Sequence, residues 1–287
     1  MGFVLSAEAF WSRFLVPGGL WLLLLFAVPL VFVLALSFGY VDDLGRAVYS
    51  TETANYADAF NPTYLPVLLR SVLYALATTA LCLLIGYPVA YYIARYGGKY
   101  RNALIALLVL PFFVNYLVRT YAWVALLADE GLVNNAIVDL GLRSEGLQMI
   151  NTPWAVIGGL TYGYLVFMIL PVYGSIERLD RSVIEAGKDL YGTPWQTFRH
   201  VTLPQTKQGI LAGSVLVFLP SVGDFVSAQL LGGPDTYMVG NLIQDQFFTA
   251  NNWPFGAALT VVMMIFLAVW MVLYLRSAAR EVRAPAI

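Results

Sequence analysis

The chain has 287 residues, of which 60% are hydrophobic, 15% aromatic and 11% charged, with a mean hydropathy of +0.73. Soluble domains carry about 25% charged residues, so this composition is that of a membrane protein. A formal net charge of −1 argues against a nucleic-acid surface, and one cysteine with one histidine leaves too few soft ligands for zinc or an iron–sulfur cluster.

Six apolar runs are long enough to cross a hydrocarbon core about 30 Å thick as helices. They are 16–38, 67–94, 103–127, 154–176, 208–231 and 255–275, and none shows the period-two alternation of barrel strands. The first follows Arg13, is too long for a signal h-region and lacks a small-residue cleavage site, so it reads as a retained span. Cys82 in the second run reads as a buried small side chain. The third holds Arg119 and the fifth holds Asp224, both inside apolar sequence. Gly159 and Gly163 in the fourth, and Gly209 and Gly213 in the fifth, have the small-xxx-small spacing that lets helices approach closely.

Orientation follows from the positive residues, which concentrate in short cytoplasmic loops. Both termini placed in the cytoplasm put Arg13, Arg95, Lys99, Arg101, Arg178, Arg181, Lys188, Arg199, Lys207, Arg276, Arg280 and Arg283 inside, twelve of the sixteen. Arg46, Arg70 and Arg143 then fall outside. The fold class expected is an all-α membrane protein of six transmembrane helices, a single domain over 1–287, with a cytoplasmic loop at about 177–207.

That loop is unusual in so apolar a chain. Between Glu177 and Lys207, Val183, Ile184, Ala186, Leu190, Trp195, Phe198 and Val201 alternate with charged residues at near-helical spacing. Gly192, Thr193 and Pro194 make a turn, with Thr193 an N-cap and Pro194 in the first helical position, so the spacing predicts helix, turn, helix. Its mixed charge is a poor match for anionic lipid headgroups and favours a protein partner.

The stretch EAGKDLYGTPWQTFRHVTLP at 185–204 resembles the EAA loop of ABC importer permeases, E-A-A, three residues, G, nine residues, I-x-L-P. Glu185 and Ala186 match, Gly187 replaces the second Ala, Tyr191 stands at the motif Gly with Gly192 after it, and Val201, Leu203 and Pro204 close the pattern. The resemblance implies a coupling helix that inserts into a groove on an ATPase subunit, with Glu185, Ala186, Gly187, Tyr191, Gly192, Leu203 and Pro204 at that contact. Three further stretches, 108–123, 219–243 and 251–259, are similar to segments of spermidine/putrescine permease subunits. With the loop and the spans, the resemblance covers nearly the whole chain.

It implies the type I ABC importer permease fold in a bacterial inner membrane and a translocation path worked by alternating access. The partners implied are an ABC ATPase dimer, a second permease subunit, a periplasmic substrate-binding protein and a polyamine substrate. ATP and Mg would be bound by the ATPase; no cofactor or metal is expected on this chain. Opine, other amine and ferric iron importers share much of the architecture.

Ionisable residues inside spans cost about 2.5 to 3.5 kcal/mol to insert, so Asp224 and Arg119 need a reason. Asp224 follows Pro220, Ser221 and Gly223, where a kink frees backbone groups, and a carboxylate there can meet a passing ammonium. Its alternative is a structural pair with Arg119, which would itself repel a polyammonium substrate and is assigned to structure or gating. Ammonium groups also bind aromatic faces. Tyr121, Trp123 and Tyr164 are therefore candidate pathway residues beside Asp224, although most aromatics in membrane proteins are packing or interface anchors. No P-loop sequence and no nucleophile–base set is present, which disfavours an enzyme. An ion-coupled secondary transporter would show paired discontinuous helices in inverted repeats, and a scaffold would transport nothing.

Overall fold

The computed structural model describes residues 7–143 and 145–283, with only the backbone described at 7–14, Arg181, Tyr191, Leu275 and 277–283. Helix α1 (Ala7–Ser37) leads into a hairpin of β1 (Tyr40–Val41) and β2 (Ala47–Val48), then α2 (Ala54–Ala59) and α3 (Leu65–Tyr96). A short turn brings α4 (Arg101–Val109), followed by α5 (Tyr116–Leu127), α6 (Leu132–Asp139) and α7 (Pro153–Glu177). Then come α8 (Arg181–Tyr191), α9 (Pro194–Thr197), a π-turn, α10 (Leu203–Gln205), α11 (Lys207–Val222), α12 (Val226–Leu231), α13 (Val239–Phe248) and α14 (Trp253–Arg283).

Among the described residues four helices, within α1, α3, α7 and α14, are long and apolar enough to cross a membrane. The run 103–127 is not one straight helix. Pro111 brings no amide hydrogen to the ladder, the chain turns through a 3₁₀ segment at Leu110–Phe113, and Val114 is extended at ψ 135°. Asn115 then opens α5 by accepting from the Leu117 amide at 2.9 Å. The two sides of this break are bent by 91° and make a fifth span if taken together. The run 208–231 also divides: α11 is 16 residues long and ends at Gly223, after which Asp224 leads into α12. Six apolar runs thus become four long helices, one bent pair and one short helix with a break beyond it.

The chain forms two compact units. The larger, 63–242 with 267–287, is built on α3, α7 and α11, which pack on one another. Cys82, Tyr87, Ala90, Met168, Ile169, Val172, Ile176 and Val217 form its buried centre. A second cluster joins Ala155, Val156 and Leu160 of α7 to Ala228 and Leu231 of α12 and to Met238.

Glycine decides how closely these helices lie. A Cβ built on Gly209 would stand 2.4 Å from Ser175 Oγ and 2.6 Å from the Pro171 carbonyl oxygen, and one on Gly213 2.7 Å from Met168 Sδ. Both seat α11 on α7, the close approach that the small-residue spacing signals. Gly159 and Gly163 do the same on the other side of α7: a Cβ there would lie 2.3 Å from Leu231 Cδ1 and 2.9 Å from Tyr116 Cε2.

In the other unit, 1–62 with 243–266, the end of α1 is tied to α2. Asn55 Nδ2 donates to the carbonyls of Ser37 and Gly39 at 3.1 and 2.7 Å, and the Ser37 and Tyr56 hydroxyls meet at 2.5 Å. Apolar side chains of α1 are exposed along most of its length from Leu15 onward, the surface expected of a helix that faces lipid.

The glycine seat is testable. Gly209→Ala drives a methyl group against Ser175 and the Pro171 carbonyl and should destabilise the purified protein by about 1 to 3 kcal/mol, whereas Gly174→Ala, with nothing within 4 Å, should be neutral. Thermal unfolding in detergent, compared between the two variants, reads the difference.

Candidate functional site: a buried carboxylate and an amphipathic helix pair

Asp224 lies at the break between α11 and α12 and is only 7% exposed. A carboxylate at such depth needs donors for its oxygens. Oδ1 accepts the Ser227 amide at 2.8 Å, a capping bond in the first turn of α12. Oδ2 accepts two phenols, Tyr116 from α5 at 2.7 Å and Tyr164 from α7 at 2.9 Å. The Tyr116 hydroxyl also meets Ser227 Oγ at 2.6 Å. One acid therefore ties three helical segments together through neutral groups. Among the described residues it has no ion-pair partner.

Arg119, the other charged residue singled out within the apolar runs, lies elsewhere. Its guanidinium carbon stands 5.1 Å from the Phe112 ring centroid, 5.5 Å from that of Tyr116 and 5.9 Å from that of Tyr162. Its Nε is buried without a hydrogen-bond partner. The structural Asp224–Arg119 pair weighed from sequence is not formed; Tyr116 stands between them, its hydroxyl on the acid and its ring against the guanidinium.

Of the aromatics singled out from sequence, Tyr164 reaches Asp224 directly. Trp123 packs edge-on against Tyr162 at 5.6 Å and borders a separate cavity of about 310 Å³ with Gln148, Thr152 and Trp154. Tyr121 points off the cluster and is 59% exposed. Tyr116 and Ser227 were missed as partners of the acid. Ser227 was legible, since Asp224 three residues before it is a helix-capping spacing, whereas Tyr116 meets Asp224 across 108 residues of sequence.

The loop between α7 and α11 folds as two short helical pieces. Asp180 caps α8 by accepting from the Ser182 amide at 3.0 Å. Gly192 ends it with φ +71°, a left-handed conformation open to glycine, while its amide donates to the Lys188 carbonyl at 2.8 Å. The turn thus falls at Gly192, one residue after the position occupied by Tyr191, whose side chain is outside the described residues. Thr193 accepts from the Gln196 amide at 3.3 Å and Pro194 opens α9. Leu203 and Pro204 start α10.

Gly187 is the packing point of this pair: a Cβ there would meet Val201 Cγ2 at 2.8 Å and Thr197 Cγ2 at 3.1 Å. Glu185, Ala186, Leu190 and Trp195 face outward, the last two 78% and 67% exposed. The inner face is anchored. Phe198 packs edge-on to Tyr87 of α3 at 5.5 Å, and the Tyr87 and Thr206 hydroxyls meet at 2.9 Å. Arg95 at the end of α3 donates to the carbonyls of Ile176 and Leu179, both at 3.0 Å, satisfying the end of α7. Arg101 pairs with Glu177 and with the Tyr173 hydroxyl, closing the same corner. No group of three or more His, Cys, Asp or Glu able to hold a metal occurs among the described residues.

Residues 83–283 match the family of the binding-protein-dependent transport system inner membrane component. The chain is 40% identical over 257 residues to the spermidine/putrescine transport system permease protein PotB of Haemophilus influenzae, covering 90% of each. It is 37% identical to the protein of the same name from Escherichia coli, covering 90% of this chain and 94% of that one. A crystal structure of a bacterial alginate ABC transporter, bound to an alginate-loaded periplasmic protein, contains a chain that superposes with a TM-score of 0.74. It is 18% identical and covers 96% of this chain and 95% of that one, which shows a shared fold.

The two phenols should be separable from the rest of the fold. Removing one hydroxyl, as in Tyr164→Phe, leaves Oδ2 with Tyr116 and should cost about 1 kcal/mol; Tyr116→Phe with Tyr164→Phe exposes the acid's deficit and should cost about 2 to 4 kcal/mol in thermal or denaturant unfolding. Equal, negligible effects from the single and double changes would show that the bonds do not hold the helices.

Proposed function

This chain belongs to the family of binding-protein-dependent transport system inner membrane components, and from that premise we propose that it is an ABC importer permease for spermidine and putrescine. The observation that carries the substrate reading is Asp224: a buried carboxylate satisfied by phenols, with no Lys or Arg paired to it among the described residues. An alkylammonium that arrives can replace two bonds from neutral donors by one from a cation, so that both partners of the new contact are charged. The exchange is nearly balanced, because two good hydrogen bonds are surrendered for the new contact. A weak, transient site suits transport, since a group that held the amine tightly would not release it. The names of the similar permeases point to the same class of solute.

The chain is a transport subunit, and the energy enters from outside it. We assign the exposed face of the α8–α9 pair, from Glu185 to Pro204, to contact with a partner ATPase that binds ATP and Mg. A second permease would complete the pathway, and a periplasmic binding protein would deliver the amine. Closing of the ATPases would draw on the helix pair and turn the path outward; hydrolysis would return it inward. Tyr164 lies at the acid itself, while Trp123 and Tyr121 are assigned to the wall of the path beyond it.

The test is uptake of labelled spermidine and putrescine into proteoliposomes that hold the complete importer. Uptake should require ATP, and Glu185→Ala should lower it more than tenfold with spermidine binding by the soluble component unchanged. Asp224→Asn keeps shape and removes charge, so kcat/KM for either amine should fall about tenfold to a hundredfold. Uptake of another solute in place of both amines would move the substrate assignment and leave the permease assignment standing.

A further inference from the structure

The Arg119 side chain has the surroundings of a ligand. Three aromatic rings, Phe112, Tyr116 and Tyr162, stand within 6 Å of one guanidinium carbon, and no acid is paired with it among the described residues. Rings converging on a cation form the kind of cage that recognises ammonium ligands, because each ring face offers its negative quadrupole to positive charge. A guanidinium held for structure alone is ordinarily given hydrogen-bond acceptors for its rigid fork of donors. Here the guanidinium makes no hydrogen bond among the described residues and its Nε is buried, whereas Arg95, whose Nε is buried likewise, gives two bonds to carbonyls. The arrangement secures the positive charge of Arg119 and neglects one of its donors.

The cage also adjoins the acid. Tyr116 contributes its ring to Arg119 and its hydroxyl to Asp224 at 2.7 Å, so a single side chain separates a place for one cation from a place for another. A linear polyamine carries its ammonium groups on a flexible alkyl chain, and two cation sites on either side of one tyrosine fit two successive groups.

We propose that Phe112, Tyr116 and Tyr162 form a second ammonium site, which Arg119 fills as a tethered cation and must vacate when the amine binds. The inference rests on the polyamine reading given above. Arg119 then competes with the substrate for its own site. Competition weakens loading, and return of the guanidinium to the rings expels the ammonium, so the same residue lowers affinity and speeds release. A solute without positive charge gains nothing by displacing it, which makes Arg119 a selectivity element as well.

The experiment is equilibrium binding of labelled spermidine to the complex of permeases and ATPase, without the binding protein, alongside ATP-driven uptake by the full importer. Arg119→Gln should tighten binding about tenfold and lower both KM and kcat for uptake, because release becomes slow. Adding Tyr162→Leu to Arg119→Gln should abolish the gain by removing a wall of the site. Arg119→Lys, which restores a cation on the rings, should return the affinity toward that of the wild type. If the wild type imports spermidine and Arg119→Gln leaves the affinity equal or weaker in a complex of normal size, the cage is structural and the proposal is overturned. If the wild type imports neither amine, the polyamine reading itself has failed, and the second ammonium site falls with it.

Discussion

A carboxylate withdrawn from water must be repaid in hydrogen bonds, and Asp224 is placed where three helical segments can supply them. The break after Gly223 frees the Ser227 amide for Oδ1, while α5 and α7 each bring a phenol to Oδ2. Removing both phenols would leave Oδ2 without a donor at a depth where desolvation costs several kcal/mol, whereas the loss of one leaves the other in place. The positions of α5, α7 and α12 are therefore set partly by one acid. The apolar contacts that surround it, Gly163 against Tyr116 and Gly159 against Leu231, permit the approach those bonds need.

From that centre a contiguous set of contacts leads to the amphipathic helix pair. Helix α7 carries Tyr164 near its middle and ends where Arg95 and Arg101 grip it. Helix α11 carries Asp224 just beyond one end, and at the other its Thr206 cap meets Tyr87, against which Phe198 packs. Gly209 and Gly213 seat α11 closely on α7, against Pro171, Ser175 and Met168. Packed elements of this sort move as bodies more readily than they deform. A pull on the helix pair thus has two helices through which to reach the acid, and each of them supplies one of its partners or the acid itself.

Local features were legible in the sequence, and long-range pairings were not. Thr193, Pro194 and Gly192 announced their roles because capping and left-handed turns are decided by a few neighbouring residues. The α8–α9 pair followed from periodicity, and the glycine spacings of α7 and α11 marked real close approaches. Composition showed that the chain crosses a membrane, but counting apolar residues does not reveal where a helix breaks: Pro111 with Asn115 bends one run by 91°, and Gly223 stops another. The partners of Asp224 escaped for a different reason. Charge alone favoured Arg119, whereas the fold offered phenols from α5 and α7 to the acid and rings to the arginine. Tyr116 and Arg119 are three apart on one helical face, so their contact was accessible to reasoning; the convergence of Tyr164 on the same acid required the tertiary structure.

If the polyamine reading holds, Asp224 receives an ammonium group in exchange for its phenol bonds. A structure of the complete importer trapped with spermidine tests it most directly. Elongated density is expected with one end at the Asp224 carboxylate and at least one of the Tyr116 and Tyr164 hydroxyls turned away from it. Density for the amine elsewhere in the pathway, with both phenols still on Oδ2, would contradict it.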